Sequence, residues 1–327
     1  MITIKGRRIG PGYPVFFIAE IGINHNGSLE MALKMIEAAV KAGAEAVKFQ
    51  KRDIPTVFTE EELDKPREFD PSIIANAKER MLIEGRPRLV WPETSWQRLE
   101  AGGPTTNGDL KYALEFDEKD YDLINRKCLD LGITWSASAW DGLSAHFING
   151  FEDVEWLKVA SACLTNRDLL KRVKAKGKPI FLSTGSSTLE QVIQAVKILG
   201  TENLVLLHCV AAYPPRDEDT NLVVMDTLRR IYPQIPVGFS SHAHDIFPAV
   251  VAAIFGACAI EVHLTLDRKL PGSDQPASLE PAELSELVRQ VRRFEVLRGD
   301  GVKRVLPVEE ATMAKLRRVD DLLPPSR

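Results

Sequence analysis

Two histidines, two lysines and two glutamates stand in this sequence where an apolar run would not choose them. His242 and His263 fall near the ends of late apolar runs, and two imidazoles brought together can share a divalent metal. The carboxylates of Glu20 and Asp274 favour a hard ion, manganese, over zinc or iron; a satisfied hydrogen bond is the lesser alternative for either histidine alone, and two on neighbouring strands weaken it. Lys48 in AVKFQ and Lys158 in WLKVAS interrupt apolar runs, where a lone ammonium is costly to bury without an anion. With Ser161 and Ser183 beside them they form a phosphate or carboxylate site; paired with Glu20 or Glu261 they are structural ion pairs instead. Gly185 follows Ser183 and Thr184 and offers backbone N–H groups to an anion at a helix start. Glu20 and Glu261 suit a general base or a group that positions water, each with a shifted pKa. Cys163 and Cys209 read as buried packing, His25 and His244 as loop residues, and Trp140 as either pocket wall or core.

The elements that must position these residues are eight short apolar runs alternating with helical patterns: Val15–Gly22, Ala44–Gln50, Thr134–Ala139, Trp156–Ser161, Pro179–Thr184, Leu204–Cys209, Val237–Ser241 and Ala259–Thr265. Runs of this length without strict alternation fit strands buried on both faces of a parallel sheet. Each finishes on polar residues: Glu20, Lys48 with Gln50, Ser138, Lys158 with Ser161, Ser183, His208, Ser240 with His242, and Glu261 with His263. An eightfold β/α (TIM) barrel places its active site at the C-terminal ends of its strands, which is where these residues gather. The fold class is therefore α/β, with the barrel over residues 1–301 and a tail over 302–327.

Helices between the strands have readable faces. Leu29, Leu33, Ile36 and Val40 repeat at helical spacing behind Ser28 as N-cap, as do Leu189, Val192, Val196 and Leu199, and Leu284, Leu287, Val288, Val291 and Phe294. Gly43 and Gly177 fall where helices should stop. Phe247–Gly256 is apolar nearly all round, a helix whose outer face a partner subunit would cover, so a homodimer is expected. One connection is far longer than usual: residues 51–117, after the second strand, hold Pro66, Pro71, Pro87, Pro92, Trp91 and Trp96. Leaving from the catalytic face, this insertion suits a lid or a substrate wall, and its tryptophans argue against a flexible excursion. The tail holds one helix over Val308–Arg318 and then frays through the closing PPSR.

Composition removes several function classes. A net charge of −4 and the absence of a basic run give no nucleic-acid surface. No window approaches the roughly 20 apolar residues of a membrane span, and no apolar signal core opens the chain. Four scattered cysteines without a CxxC pair suit the reducing cytoplasm.

FIAEIGINHNGSLEMALKMIEAAVKAGAEAVKFQ, KPIFLSTGSSTLEQV, LLHCVAAYP and EVHLTLDRKLPGSDQPASLEP together resemble the sialic acid (N-acetylneuraminate) synthase family, over residues 14 to 300. The resemblance implies condensation of phosphoenolpyruvate with an aldose, giving a 3-deoxy-2-keto sugar acid and phosphate by C–O cleavage. It also implies a divalent metal, Mn2+, on His242 and His263. Phosphoenolpyruvate would meet Lys48, Ser138, Lys158, Ser161, Ser183 and Ser240; Glu20 would be the catalytic carboxylate near the acceptor carbonyl, with Glu261 its partner. Gln50, Tyr213 and Asp274 would face the sugar. The departures fall on the acceptor half: Val262 replaces an arginine between Glu261 and His263, Ser186 a methionine, Cys163 a carboxylate and Ala211 an asparagine. The antifreeze-like C-terminal domain of many members has no counterpart before the sequence ends. The same reaction with a different acceptor is expected; the alternatives are another barrel aldolase or lyase acting on pyruvate or phosphorylated substrates, and a non-catalytic sugar-binding barrel.

Overall fold

A period of two, hidden in the sequence because both faces are buried, sorts the strand residues between the barrel's interior and its helical coat. In a computed structural model, which describes residues 1–81 and 91–319, Ile2–Ile4 (β1) and Arg7–Ile9 (β2) pair as an antiparallel hairpin. Eight parallel strands then close in sequence order into a barrel: Phe16–Gly22 (β3), Ala46–Lys51 (β4), Thr134–Ala139 (β5), Leu157–Val159 (β6), Ile180–Ser183 (β7), Leu204–Cys209 (β8), Val237–Ser241 (β9) and Ala259–His263 (β10). All eight expected runs are strands, so the barrel reading holds.

Along β3, Phe17, Ala19 and Ile21 pack outward in the large cluster shared with the helices, while Phe16 and Ile18 belong to an interior cluster with Ala46, Trp156, Phe181, Val205, Leu207 and Ala259. Ile2, Ile4 and Ile9 of the hairpin join that interior cluster. The hairpin therefore plugs the N-terminal end of the barrel, a feature absent from the sequence reading. Continuing each inward row by two residues changes its chemistry: Ile18 gives way to Glu20, Ala46 to Lys48, Trp156 to Lys158, Phe181 to Ser183, Ala259 to Glu261. Apolar packing thus fills the floor and polar groups crown it, the layered arrangement of such barrels.

The first helix, Leu29–Ala42 (α1), has Ser28 accepting the Met31 N–H as N-cap and Gly43 left-handed at its end. Its buried stripe centres on Ala32, Met35, Ile36 and Ala39, so Leu33 and Val40 are only half-buried. The insertion contains Ile54–Val57 (α2), Glu60–Asp64 (α3), Pro71–Met81 (α4), Glu93–Glu100 (α5) and Asn107–Leu114 (α6). Trp91 and Trp96, 4.6 Å apart between ring centroids, join Ile73, Ala77, Leu110, Ala113 and Leu114 in a separate small core. The buried Arg80 guanidinium ties it down, donating to Ala113 O at 2.7 Å and Asp120 Oδ2 at 2.9 Å. Gly27 marks the seam with the barrel: its φ is +75°, and a Cβ there would lie 2.7 Å from Ala113 O. The described residues of the insertion pack into that core, as its tryptophans predict; Pro87 and PPSR lie outside the described residues.

The remaining helices are Glu118–Asp130 (α7), Gly142–Asn149 (α8), Arg167–Lys174 (α9), Leu189–Leu199 (α10), Asp217–Thr220 (α11), Val224–Ile231 (α12), Phe247–Ile254 (α13), Pro281–Arg298 (α14) and Pro307–Leu316 (α15). On α14, Leu284, Leu287, Val288 and Val291 are buried as expected. Phe247 on α13 is 68% exposed, with Ile254 and Phe255 also open. α15 buries no residue. Among the described residues no helix is long and apolar enough to cross a membrane, and all four cysteines are free and buried.

Candidate active site

The polar crown surrounds a cavity of about 350 Å3, a size suited to a small ligand. Glu20, Lys48, Gln50, Ser138, Lys158, Ser161, Ser183, Tyr213, Ser240, His242, Glu261 and His263 all line it. Of the residues predicted for the site, Asp274 alone is missing from the wall. It lies on the loop after β10, behind His263, with its Oδ2 3.7 Å from His263 Nδ1. Its carboxylate can orient that ring but does not border the cavity.

At the centre are four buried charged groups. Lys48 Nζ pairs with Glu20 and donates to Ser138 Oγ at 2.7 Å; it is 4.0 Å from Glu261, whose other oxygen is 3.3 Å from Lys158 Nζ. Strand register makes this network: Glu20 pairs with Lys48, and Ser138 with Lys158. Glu261 lies opposite Ser240, whose hydroxyl donates to it at 2.9 Å. The ion-pair reading of the lysines and the anion-site reading are therefore both met, because the same ammoniums pair with carboxylates and face the cavity.

The two carboxylates are pushed apart. Burial raises the Glu20 carboxyl to about 7, opposed by Lys48 and reinforced by the nearby Glu261 charge. Burial acts on Glu261 too, but Lys158, Lys48 and the Ser240 hydroxyl overcome it and hold the group at about 2. Near neutrality the site thus holds one permanent anion and one carboxyl poised to exchange a proton, a pattern suited to acid–base work. Burial also lowers Lys158, against the pull of Glu261. When Glu20 is protonated, two ammoniums face one carboxylate, and the surplus positive charge favours an anionic ligand.

The imidazoles of His242 and His263 stand 5.2 Å apart between centroids on the same wall. His242 Nδ1 is 2.7 Å from Val210 O, so this nitrogen carries a proton and leaves Nε2 to a metal. Burial holds His263 at about 3, neutral at physiological pH, and its Nδ1 is buried without a hydrogen-bond partner. Against burial, the Cys209 side chain, the Val210 carbonyl and the Glu261 charge raise His242 above its ordinary value, so the pair fits a divalent metal with His263 already neutral and His242 giving up its Nε2 proton as the ion binds. Among the described residues no cluster of three or more His, Cys, Asp or Glu is preformed for one, so a metal there would draw its remaining ligands from solvent or substrate. The Tyr213 ring lies 4.0 Å from that of His242, tilted by 31°.

Several expectations change. The Gly185 N–H is not open to an anion: it donates to Ser161 Oγ at 3.0 Å, and α10 begins only at Leu189 behind the N-cap Thr188. Glycine is required there because a Cβ would lie 2.8 Å from that hydroxyl. The free hydroxyl is Ser183 Oγ, buried and without a partner among the described residues. His208, although at a strand end, points away from the cavity and bonds Thr220 O at 2.8 Å. Its neighbour Cys209 lines the wall instead, 3.8 Å from His242 Nδ1. Burial would raise the Cys209 thiol, yet the His242 ring and Ser161 hydroxyl bring it below its ordinary value, whereas burial pushes Cys163 up to about 11. Alternation along β8 identifies Cys209, since it continues the inward row of Val205 and Leu207. Trp140 proves to be wall, with Ser186 and Ala211. His25 is buried in the turn after β3, stacked 4.0 Å from Phe116, and His244 is exposed. No described residue of the insertion lines the cavity.

Residues 89–303 match the NeuB family. The chain is 36% identical over 314 residues to the N-acetylneuraminate-9-phosphate synthase of Homo sapiens, covering 95% of this chain and 79% of that protein. It is 33% identical to the N,N'-diacetyllegionaminic acid synthase of Legionella pneumophila, covering 94% and 80% respectively. Among solved structures, the N-acetylneuraminic acid synthetase of Leptospira borgpetersenii in complex with citrate superposes with a TM-score of 0.76 at 30% identity, covering 97% of this chain and 98% of that one.

Proposed function

Because the chain belongs to the NeuB family of phosphoenolpyruvate-dependent sugar acid synthases, we propose that its cavity condenses phosphoenolpyruvate with an aldose to give a 3-deoxy-2-keto sugar acid and phosphate. The observation that carries this reading is the buried quartet of Lys48, Glu20, Glu261 and Lys158 facing the imidazoles of His242 and His263 in one cavity. The relatives' names span N-acetylneuraminate 9-phosphate and N,N'-diacetyllegionaminic acid, so similarity supports the reaction and leaves the acceptor to the site.

Lys48 and Lys158 hold the carboxylate and phosphate of phosphoenolpyruvate, with Ser138, Ser161, Ser183 and Ser240 supplying hydroxyls around it. The π electrons between C2 and C3 form the new bond from C3 to the acceptor carbonyl carbon. Glu20, protonated in part near pH 7, gives its proton to the carbonyl oxygen as that bond forms. The cationic character left at C2 is met by the fixed charge of Glu261. A water adds at C2 and its proton passes to the Glu20 carboxylate, restoring it. The C2 hydroxyl then passes its proton to the phosphate as the freed oxygen lone pair closes the C2=O double bond, the C2–O bond to the phosphate breaks with its electrons, and hydrogen phosphate leaves. His242 and His263 would hold a divalent ion, with Mn2+ as our choice, which when bound polarises the acceptor carbonyl as a Lewis acid. Gln50 and Tyr213 face the sugar, and Asp274 orients His263.

We place the protein in the cytoplasm, consistent with its free cysteines, and a second copy of the chain would cover Phe247, Ile254 and Phe255. The test is phosphate release from phosphoenolpyruvate with Mn2+ across N-acetylmannosamine, mannose and their diamino relatives. Release that requires one aldose supports the reading. No release with any of them, in protein that binds neither Mn2+ nor phosphoenolpyruvate, refutes it.

A further inference from the structure

Above the charged layer the inward rows of the strands run on for one more step, and there they divide. Lys48, Ser240 and Glu261 are followed two residues later by Gln50, His242 and His263, whereas Ser138, Lys158 and Cys209 are followed by Trp140, Ala160 and Ala211; all of them line the cavity. In the ring of eight strands, β5 is four places from β9 and β6 is four places from β10. Trp140 therefore stands across the mouth from His242, and Ala160 across from His263. The outer layer thus carries imidazoles and an amide on one side, an indole and methyl groups on the other.

Trp140 is held in place from several directions. Its N–H donates to Lys51 O at 3.1 Å, and its carbonyl accepts from Cys163 Sγ at 3.8 Å. The Arg52 guanidinium, tied to Glu115 at 3.2 Å and no part of the cavity wall, lies 5.8 Å from the centre of the ring. The indole nitrogen is buried, so this half-buried side chain meets the cavity with carbon and offers it no hydrogen bond. An aromatic surface of this kind takes up the C–H groups of a ligand while polar groups elsewhere fix its orientation.

We propose that Trp140, flanked by Ala160 and Ala211, is the platform for the acceptor's hydrocarbon backbone. With its carbonyl at Glu20 and the imidazoles, the aldose reaches across the mouth and lays a row of uncharged C–H groups on the indole. This rests on the synthase reading, which supplies the acceptor and the place of its carbonyl. Trp140 then helps to set which acceptors fit, whereas phosphoenolpyruvate, held one layer deeper by Lys48 and Lys158, does not depend on it.

The experiment follows phosphoenolpyruvate consumption by the whole chain with Mn2+ and N-acetylmannosamine, mannose and their diamino relatives as acceptors. For an aldose that turns over, Trp140→Ala is expected to raise the acceptor's KM about tenfold, the worth of roughly two buried CH groups, with the KM for phosphoenolpyruvate unchanged. Trp140→Phe keeps a ring and should stay within about threefold of the parent. A merely structural wall would raise both KM values. A second readout needs no turnover. Among the described residues Trp140 alone of the five tryptophans lines the cavity. The reduced acceptors N-acetylmannosaminitol and mannitol lack a carbonyl and cannot condense; added with phosphoenolpyruvate and Mn2+, they should change the tryptophan emission of the parent and leave that of Trp140→Phe unchanged. If Trp140→Ala fails to fold, the emission test still decides. An equal rise in both KM values, an acceptor KM untouched by Trp140→Ala, or the same emission change in parent and Trp140→Phe would overturn the platform while leaving the synthase reading intact. No phosphoenolpyruvate consumption with any acceptor would overturn both.

Discussion

Replacing Glu20 by glutamine should make the protein more stable in alkaline than in acidic buffer relative to the unaltered chain. Burial raises the Glu20 carboxyl from an ordinary 4.5 to about 7, so the folded state holds a proton that the unfolded state releases between those values. The favourable contribution of that proton is fully present below pH 4.5 and is lost as pH rises through about 7. Each tenfold gain in proton affinity on folding is worth about 1.4 kcal/mol, so the unaltered chain loses roughly 2–3 kcal/mol through this group between pH 5 and pH 8.5. The amide of the Glu20→Gln variant cannot ionise and is spared that loss. The Glu261 charge, fixed from a pKa of about 2 upward, contributes nothing across the window, and the Lys48 ammonium is common to both proteins. Urea unfolding of chelator-treated protein at half-unit pH steps measures the difference directly. The gap in unfolding free energy, variant minus unaltered, should widen by that amount toward pH 8.5. Parallel curves would mean that Glu20 titrates like an exposed carboxyl. A gap that narrows would mean that the Lys48 ion pair outweighs burial, and in either case Glu20 could not carry a proton at neutral pH.

His263→Ala should abolish Mn2+ binding and turnover while leaving the circular dichroism spectrum and thermal midpoint near those of the parent; a variant that still turns over removes the metal assignment. Lys158→Ala leaves Glu261 without its 3.3 Å partner, a loss of about 3–5 kcal/mol for a broken buried pair, and should weaken phosphoenolpyruvate binding by calorimetry far more than Mn2+ binding; equal losses would make Lys158 structural. Phosphoenolpyruvate with Mn2+ at 100 times its dissociation constant should stabilise the fold by about 2.7 kcal/mol, read as a thermal shift that Lys158→Ala abolishes; an unchanged midpoint for the parent protein would speak for a barrel that binds neither ligand.

The fold was legible because parallel barrels announce themselves twice, in eight apolar runs and in the polar residues that close them. Parity carried more than the runs did. Phe16, Ile18 and Glu20 share one face of β3 and Val205, Leu207 and Cys209 one face of β8, so each strand spells a floor and a crown in steps of two. That rule, applied to the sequence, separates Cys209 from His208, which the strand-end criterion alone confuses. Gly185 escaped for a different reason. Its N–H is consumed by Ser161 from a neighbouring strand end, a contact 24 residues away in sequence that no local motif encodes. The hairpin at the N-terminus escaped because three-residue strands are too short to show a period.

What the sequence could not order is the insertion, and the physical reason bears on function. Barrel strands share one register, so a residue's position along its strand also fixes its height and direction, and chemistry can be read from position. The insertion has no such frame: Trp91 and Trp96 make their own core, and it is fixed to the barrel by Arg80 reaching Asp120 and by Gly27 lying against Ala113. The two halves of the site are therefore specified differently. The half that would handle phosphoenolpyruvate is built into the strands, where changing Glu20, Lys48 or Glu261 disturbs the neighbouring charge across the barrel. The positions assigned to the acceptor, among them Gln50, Ser186, Ala211 and Tyr213, line the cavity from strand ends and the loops that follow them, outside the buried charge network. Such a division lets one chemistry be kept while acceptors vary.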